Sequence, residues 1–205
     1  MTAYHEAGHA LLSLLIDEVD TFSKVSIIPR GMAGGYTLTP PREDKHYMNK
    51  KELKGKICVL LGGLIAEEIY VGDTSTGVSN DLKNATEIAR SMICVYGMSE
   101  KLGPLSYGQR DHSRFLGRDL MEHKDYSDET AKEIDNEIQN LVSECHNRAK
   151  ALLIEHKEQL DILTKTLVER EILVRVTGKE FVYVDEVNGA EIAAVDLGSS
   201  DRQVL

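Results

Sequence analysis

Apolar positions recur at two spacings along the chain. Spacing of three and four, the helical signature, first covers residues 3–17, where Ala10, Leu11, Leu12, Leu14, Leu15 and Ile16 leave almost no polar side. A helix apolar on most sides belongs in the interior, so this one is predicted as the buried central helix. Gly8 inside it costs about 1 kcal/mol relative to alanine; either another backbone approaches closely there, or the loss is tolerated. The same spacing returns from Asn49 to Tyr70, with Leu53, Ile57, Leu60, Leu61, Leu64, Ile65 and Ile69 mostly on one side. It predicts one long helix in which Gly62-Gly63 allow tight packing. A third helix is predicted from a cap at Ser79 or Asn80 to about Tyr96, with Leu82, Ala85, Ile88, Ala89, Met92 and Ile93 inward and Gly97 as its stop. Ser127 to about Ile172 is strongly helical, with Ser127 as N-cap and Asp128, Glu129 and Glu133 suited to the positive helix end. A break near Glu155 to Lys157 makes it a helical hairpin; without the break it is one long helix.

Extended segments are fewer. Lys24 to Pro29 and Gly35 to Thr39 read as two short strands, joined by the glycine-containing loop Arg30 to Gly34 and stopped by Pro40-Pro41. The Gly35–Thr39 strand is a candidate for pairing with an extended peptide, which makes Gly35, Tyr36 and Thr37 substrate-strand candidates; a hairpin that merely covers the core is the alternative. Glu100 to Tyr126 has weak periodicity and reads as a mobile connection with short helical pieces. Phe181 to Val187 and Ala190 to Leu197 flank Asn188-Gly189, a strong two-residue turn signal. The expected organisation is a mainly α domain over residues 1–175, with a small β-hairpin near the active site and long C-terminal helices. Residues 176–205 follow as an accessory hairpin or disordered tail.

The candidate chemistry lies in the first helix, where His5-Glu6-Ala7-Gly8-His9 reads H-E-x-x-H. Residues four apart share a helix face one turn apart, so His5 and His9 can aim two imidazoles at one metal ion. Glu6 lies on the adjoining flank, within reach of a water held by that metal. Two neutral nitrogens, an open coordination position and a nearby carboxylate are the parts of zinc-assisted hydrolysis, with Glu6 as general base. Such sites usually have a third protein ligand. Leu12 and Leu15 occupy the positions where the extended H-E-x-x-H-x-x-G-x-x-H pattern needs glycine and histidine, so that pattern is excluded. The remaining histidines (His46, His112, His123, His146, His156) and the carboxylates compete for the role. Glu67, Glu68 and Asp81 are the serious choices, and the residues alone leave them even.

Composition narrows the picture further. A net charge of −10 over 205 residues gives no support for nucleic-acid binding. Cys58, Cys94 and Cys145 are odd in number and far apart, which argues for a reducing compartment and against a disulfide framework. No apolar run approaches the length of a membrane span. The motif starts only four residues after Met1, inside an already running helix, which suggests a piece cut from a longer protein.

Taken together, these segments resemble the peptidase domain of the FtsH-type AAA+ zinc metalloproteases, the M41 peptidase family. The likeness rests on Tyr4-His5-Glu6-Ala7-Gly8-His9-Ala10, on Val25 to Pro29 followed by Gly35-Tyr36-Thr37, and on Leu61-Gly62-Gly63 with Ala66-Glu67-Glu68. It rests also on Thr76-Gly77-Val78-Ser79-Asn80-Asp81-Leu82 with Ala85-Thr86, and on closing helices over Ile134 to Leu173. The resemblance implies one zinc ion per chain, held by His5, His9 and Asp81, with Glu6 as base and Glu67 and Glu68 in supporting roles behind the ligands. It implies polypeptide substrates and a homo-hexameric ring stacked under an ATPase ring. It also implies a membrane-anchored parent whose protease domain faces the cytoplasm or an organelle matrix or stroma. The sequence contains no G-x-x-x-x-G-K-[ST], so ATP binding and membrane contact would belong to segments outside it. A zinc-stabilised oligomerisation module without activity is the alternative reading.

Overall fold

The computed structural model describes residues 1–29, 31, 34–40, 47–108, 126–177, 180–184 and 191–196. Helix α1 (Thr2–Leu15) is the centre of the fold, buried without interruption from Glu6 to Ser13. It packs against α3 (Gly62–Tyr70), α6 (Lys157–Arg170), α2 (Lys50–Leu60) and α5 (Asp128–Glu155). Its all-round apolar character is thus explained: it has neighbours on every side. Gly8 is where α3 comes in. A Cβ there would collide with the Gly62 carbonyl oxygen, and one on Gly62 would stand 2.8 Å from Gly8 O. The two backbones touch, which only glycine permits.

The segment expected as one helix from Asn49 to Tyr70 is two. Asn49 caps α2 through a capping box with Glu52. Helix α2 ends at Leu60, Leu61 (φ −78°, ψ −8°) is a turn residue that stays in the right-handed region, and α3 restarts at the glycine pair.

Helix α4 (Ser79–Cys94) does not use the expected Ser79 or Asn80 cap. The helical path begins earlier, in a 3₁₀ turn over Thr76–Val78, and Ser75 caps that turn by accepting the Gly77 N–H. Ala85, Ala89, Met92 and Ile93 are buried, whereas Leu82, expected inward, is 38% exposed and Ile88 is half-buried. Beyond Gly97, which has a positive φ of 59°, the chain is anchored rather than loose as far as Gly108. Leu102 is buried, and the Tyr107 N–H donates to Cys94 O at 2.8 Å. The rest of the expected mobile connection, 109–125, lies outside the described residues.

Ser127 caps α5 by accepting from the Thr130 N–H. The helix breaks at His156, between α5 and α6. After the break α6 packs mainly on α1, so the pair forms a corner around the core more than a side-by-side hairpin. At Glu171 a φ of 63° ends α6 and turns the chain directly into a strand.

That strand, β3 (Ile172–Thr177), pairs antiparallel with β1 (Lys24–Ser26), which pairs in turn with β2 (Tyr36–Leu38). With β4 (Glu180–Val184) and β5 (Glu191–Asp196) they make a five-stranded sheet in the order β2-β1-β3-β4-β5. The fold is mainly helical as expected, and the sheet is larger than the expected hairpin. The Asn188-Gly189 turn lies outside the described residues. Strand β2 is an edge of the sheet, lying against α1. The three cysteines are buried and none forms a disulfide.

Candidate metal centre

Helical spacing puts His5 and His9 one turn apart on α1, with ring centroids 4.7 Å apart and planes at 79°. Their Nε2 atoms are separated by 3.1 Å. Asp81, in the first turn of α4, brings Oδ2 to 3.2 Å from His5 Nε2 and 3.3 Å from His9 Nε2. Among the described residues these three form the one cluster of histidine, cysteine or carboxylate side chains with metal-ligand spacing. Three chain segments meet here because α1 and α3 are in backbone contact and the α3–α4 loop returns over them.

The other nitrogen of each ring decides what the Nε2 atoms offer. His9 Nδ1 lies 2.7 Å from Val59 O, and a carbonyl only accepts, so Nδ1 carries the proton. This carbonyl belongs to the last turn of α2, which ends at Leu60. His5 Nδ1 faces Glu67 Oε1 at 3.1 Å, again an acceptor. Both rings therefore turn bare Nε2 lone pairs toward each other and toward a carboxylate oxygen. Three such atoms repel at this range unless positive charge sits among them. Ligands about 2.0–2.1 Å from a tetrahedral zinc stand roughly 3.3–3.4 Å from one another. The observed separations of 3.1, 3.2 and 3.3 Å match that spacing closely. The donor set fits zinc.

Glu67 holds this arrangement from behind. It is 1% exposed, and besides His5 it accepts the Ser75 N–H at 2.7 Å and the Ser75 hydroxyl at 3.0 Å. One carboxylate thus fastens a ring on α1 to the loop that delivers Asp81. Gly63 makes room for the ring: any Cβ there would lie 2.7 Å from His5 Nε2, and closer still to other ring atoms. Glu68, named with Glu67 as a supporting candidate, points the other way and pairs with Lys150 at 3.2 Å and His146 at 3.6 Å. His156 sits in the break between α5 and α6. His46, His112 and His123 lie outside the described residues.

Glu6 is 6% exposed, and its Oε2 accepts the Thr37 hydroxyl at 2.7 Å. Burial raises its pKa above the ordinary carboxylate value, against the opposing pull of Thr37, His9 and His5. Burial works in the same direction on Asp81, yet His5 and His9, which donate from Nε2 once their rings are protonated, prevail and hold its carboxyl well below the usual range. For His5, burial disfavours the charged ring, but the Asp81 hydrogen bond and the carboxylates of Glu6, Asp81 and Glu67 raise its pKa. The cluster attracts positive charge, as a proton or as a metal ion.

Comparison with known sequences agrees with this geometry. A family model described as Peptidase family M41 matches residues 1–181. The chain belongs to peptidase family M41. Its M41 relatives include the ATP-dependent zinc metalloprotease FtsH of Bacillus subtilis (strain 168), 50% identical over 174 residues, covering 84% of this chain and 27% of that protein. FtsH 1 of Thermoanaerobacter sp. (strain X514) is 46% identical over 195 residues, 95% of this chain and 31% of the relative. FtsH of Thermotoga maritima is 44% identical over 190 residues, 90% and 31% of the two chains. The chain spans about 27 to 31% of the length of these curated relatives.

Sequence reasoning missed three parts of this M41 site. The Val59 carbonyl carries no side-chain signal. Ser75 was one hydroxyl in a loop rich in them. Thr37 reads as a strand residue, while its hydroxyl reaches Glu6; alternation of the extended chain places Gly35 and Thr37 on the same face, which is the clue the residues carry.

Proposed function

We propose that this chain is a zinc-dependent endopeptidase that cleaves unfolded polypeptide. The observation that carries the reading is the convergence of His5 Nε2, His9 Nε2 and Asp81 Oδ2 within 3.3 Å of one another, beside the buried carboxylate of Glu6. His5, His9 and Asp81 would hold one zinc ion per chain. When bound there, zinc acidifies a water and polarises the scissile carbonyl. Glu6 is the general base: its carboxylate accepts the proton of the attacking water and returns it to the leaving amine. Val59 O and Glu67 keep each imidazole in the tautomer that leaves Nε2 free. The outer edge of β2 receives the substrate as an added strand along Gly35, Tyr36 and Thr37, with alternate residues turned outward to pair with it. A buried Glu6 supports the enzyme over a purely structural zinc site, which has no use for that carboxylate.

Its relatives are named ATP-dependent zinc metalloproteases, which supports an ATP-dependent assembly larger than this chain. In it, this chain is the proteolytic part of a membrane-anchored, ATP-dependent quality-control protease, working as a homo-hexamer fed by an ATPase module that this sequence does not contain. The peptidase would face the cytoplasm or an organelle matrix or stroma. No helix among the described residues is long and apolar enough to cross a membrane.

The test is zinc content measured beside casein hydrolysis, with and without a chelator, for the parent and Glu6→Gln. One zinc per chain in both proteins, with turnover only in the parent and abolished by chelation, is expected. A Glu6→Gln chain that cleaves casein at the parental rate overturns the assignment of the base, and a parent that binds no zinc at neutral pH overturns the reading as a whole.

A further inference from the structure

We propose that Thr37 is a positioning residue for Glu6, so that the strand receiving the substrate also aims the base. The inference rests on Glu6 being the general base. Alternation along β2 turns Gly35 and Thr37 to one face and Tyr36 and Leu38 to the other, and the face with Gly35 and Thr37 meets Glu6. The Thr37 hydroxyl has a single proton. Glu6 Oε2 at 2.7 Å takes it in preference to the Glu6 main-chain oxygen at 3.5 Å, which is at the limit of a hydrogen bond.

The two oxygens of Glu6 are thereby made unequal. Oε2 is anchored to Thr37, and Oε1 faces Gly35, where a side chain would stand 2.9 Å from Oε1 and 2.8 Å from Ser26 O. Oε1 is left as the oxygen that exchanges the proton, and Gly35 keeps the space beside it clear. A glutamate has three side-chain torsions to lose on ordering, and a buried carboxylate without a donor costs more than one with it. Thr37 answers both demands with one hydrogen bond. Its backbone belongs to β2, held in register opposite Val25 of β1. A peptide docked on the free edge of β2 is therefore referenced to the same strand that fixes the base, and small movements of β2 shift both together.

The experiment compares Thr37→Val, Thr37→Ser, Glu6→Gln and the double variant Thr37→Val/Glu6→Gln in the purified chain. It measures kcat and KM on casein and on a fluorogenic peptide, zinc content, thermal melting, and the Kd of a peptide hydroxamate, whose proton needs an aligned acceptor. For Thr37→Val we expect kcat to fall about 10- to 100-fold, the scale of a misplaced catalytic group. KM should stay within about twofold, zinc content should be unchanged, and the hydroxamate should bind roughly tenfold more weakly, as expected when a hydrogen bond to a charged group is lost. Thr37→Ser should restore kcat to within about threefold, since it keeps the donor. The double variant should be no slower than Glu6→Gln alone. Thr37→Val at the parental kcat, beside an inactive Glu6→Gln, overturns the role of Thr37 and leaves that of Glu6 intact. Loss of zinc or of folding in Thr37→Val that Thr37→Ser does not repair also overturns it, because the threonine is then needed for packing. An active Glu6→Gln overturns the reading of the base itself.

Discussion

Helix α3 carries two adjacent glutamates on two different faces of the protein. Glu67 is 1% exposed, joined to His5 and to Ser75. Glu68, one residue on, is about one-third exposed on the α5 side and pairs with Lys150 and His146. The residues are chemically identical and differ by about 100° around the axis, the rotation per residue of a 3.6-residue helix. On the inner face a carboxylate is desolvated and must find partners for both oxygens, so it organises everything it touches. On the outer face water competes with every partner, and the ion pair is worth little. A residue's chemistry becomes architecture only where water is excluded.

The inner face is the one to break for a large effect. Glu67→Ala should lower zinc affinity about 10- to 100-fold, in line with other groups that orient metal-bound histidines. It should also cost roughly 3 kcal/mol of stability, as when one partner of a buried polar network is removed. Competition with a zinc chelator and urea unfolding of the metal-free chain measure the two. Gly63→Ala attacks the same face sterically, by placing a methyl against the His5 ring. Overpacking of this kind costs about 1–3 kcal/mol, and zinc affinity should drop with it; calorimetric melts with and without zinc separate the two losses.

Removing the metal sharpens the comparison through pH. In the metal-free chain the pKa of His5 is raised from 6.5 and that of Glu6 from 4.5. A group with a raised folded pKa contributes stability below its unfolded pKa and loses it as pH rises through the folded value. The melting temperature of the metal-free chain should therefore fall as pH rises above the ordinary histidine value of 6.5, through the raised pKa of His5. The zinc-loaded chain should move the other way, because protons compete with the metal for the same nitrogens. Parallel slopes with and without zinc would break the link between these groups and the metal. The smallest effect belongs to the outer face. Glu68→Gln should change stability by less than about 1 kcal/mol and leave zinc affinity as it was; a loss close to that of Glu67→Ala would erase the distinction between the faces.

Local features were readable from residue types. The spacing of His5 and His9 needs only helical periodicity. The break near His156 and the cap at Ser127 carry their own signals. Other features depended on partners remote in sequence. Leu61 interrupts a pattern that looks continuous, because Gly62 must meet Gly8 across more than 50 positions. Strand β3 falls at the end of a helical stretch, and its pairing partner β1 is near the other end of the chain. Leu82 has the right phase for the core, yet its turn of α4 is not covered.

By itself, the sequence determined that two imidazoles and a carboxylate would share one helix, because neighbours on a helix are set by counting residues. It also determined that this helix would be central, because Ser13 alone interrupts the apolar run from Ala10 to Ile16. Residue types and spacing left Glu67, Glu68 and Asp81 even, the family resemblance pointed to Asp81, and only the tertiary structure placed the three. It seated the first behind His5, the second on the outer surface and the third against both Nε2 atoms. The physical reason is that each position depends on which backbones can approach. The contact between Gly8 and Gly62 and the return of the Ser75 loop set that approach, and no spacing along the chain encodes it.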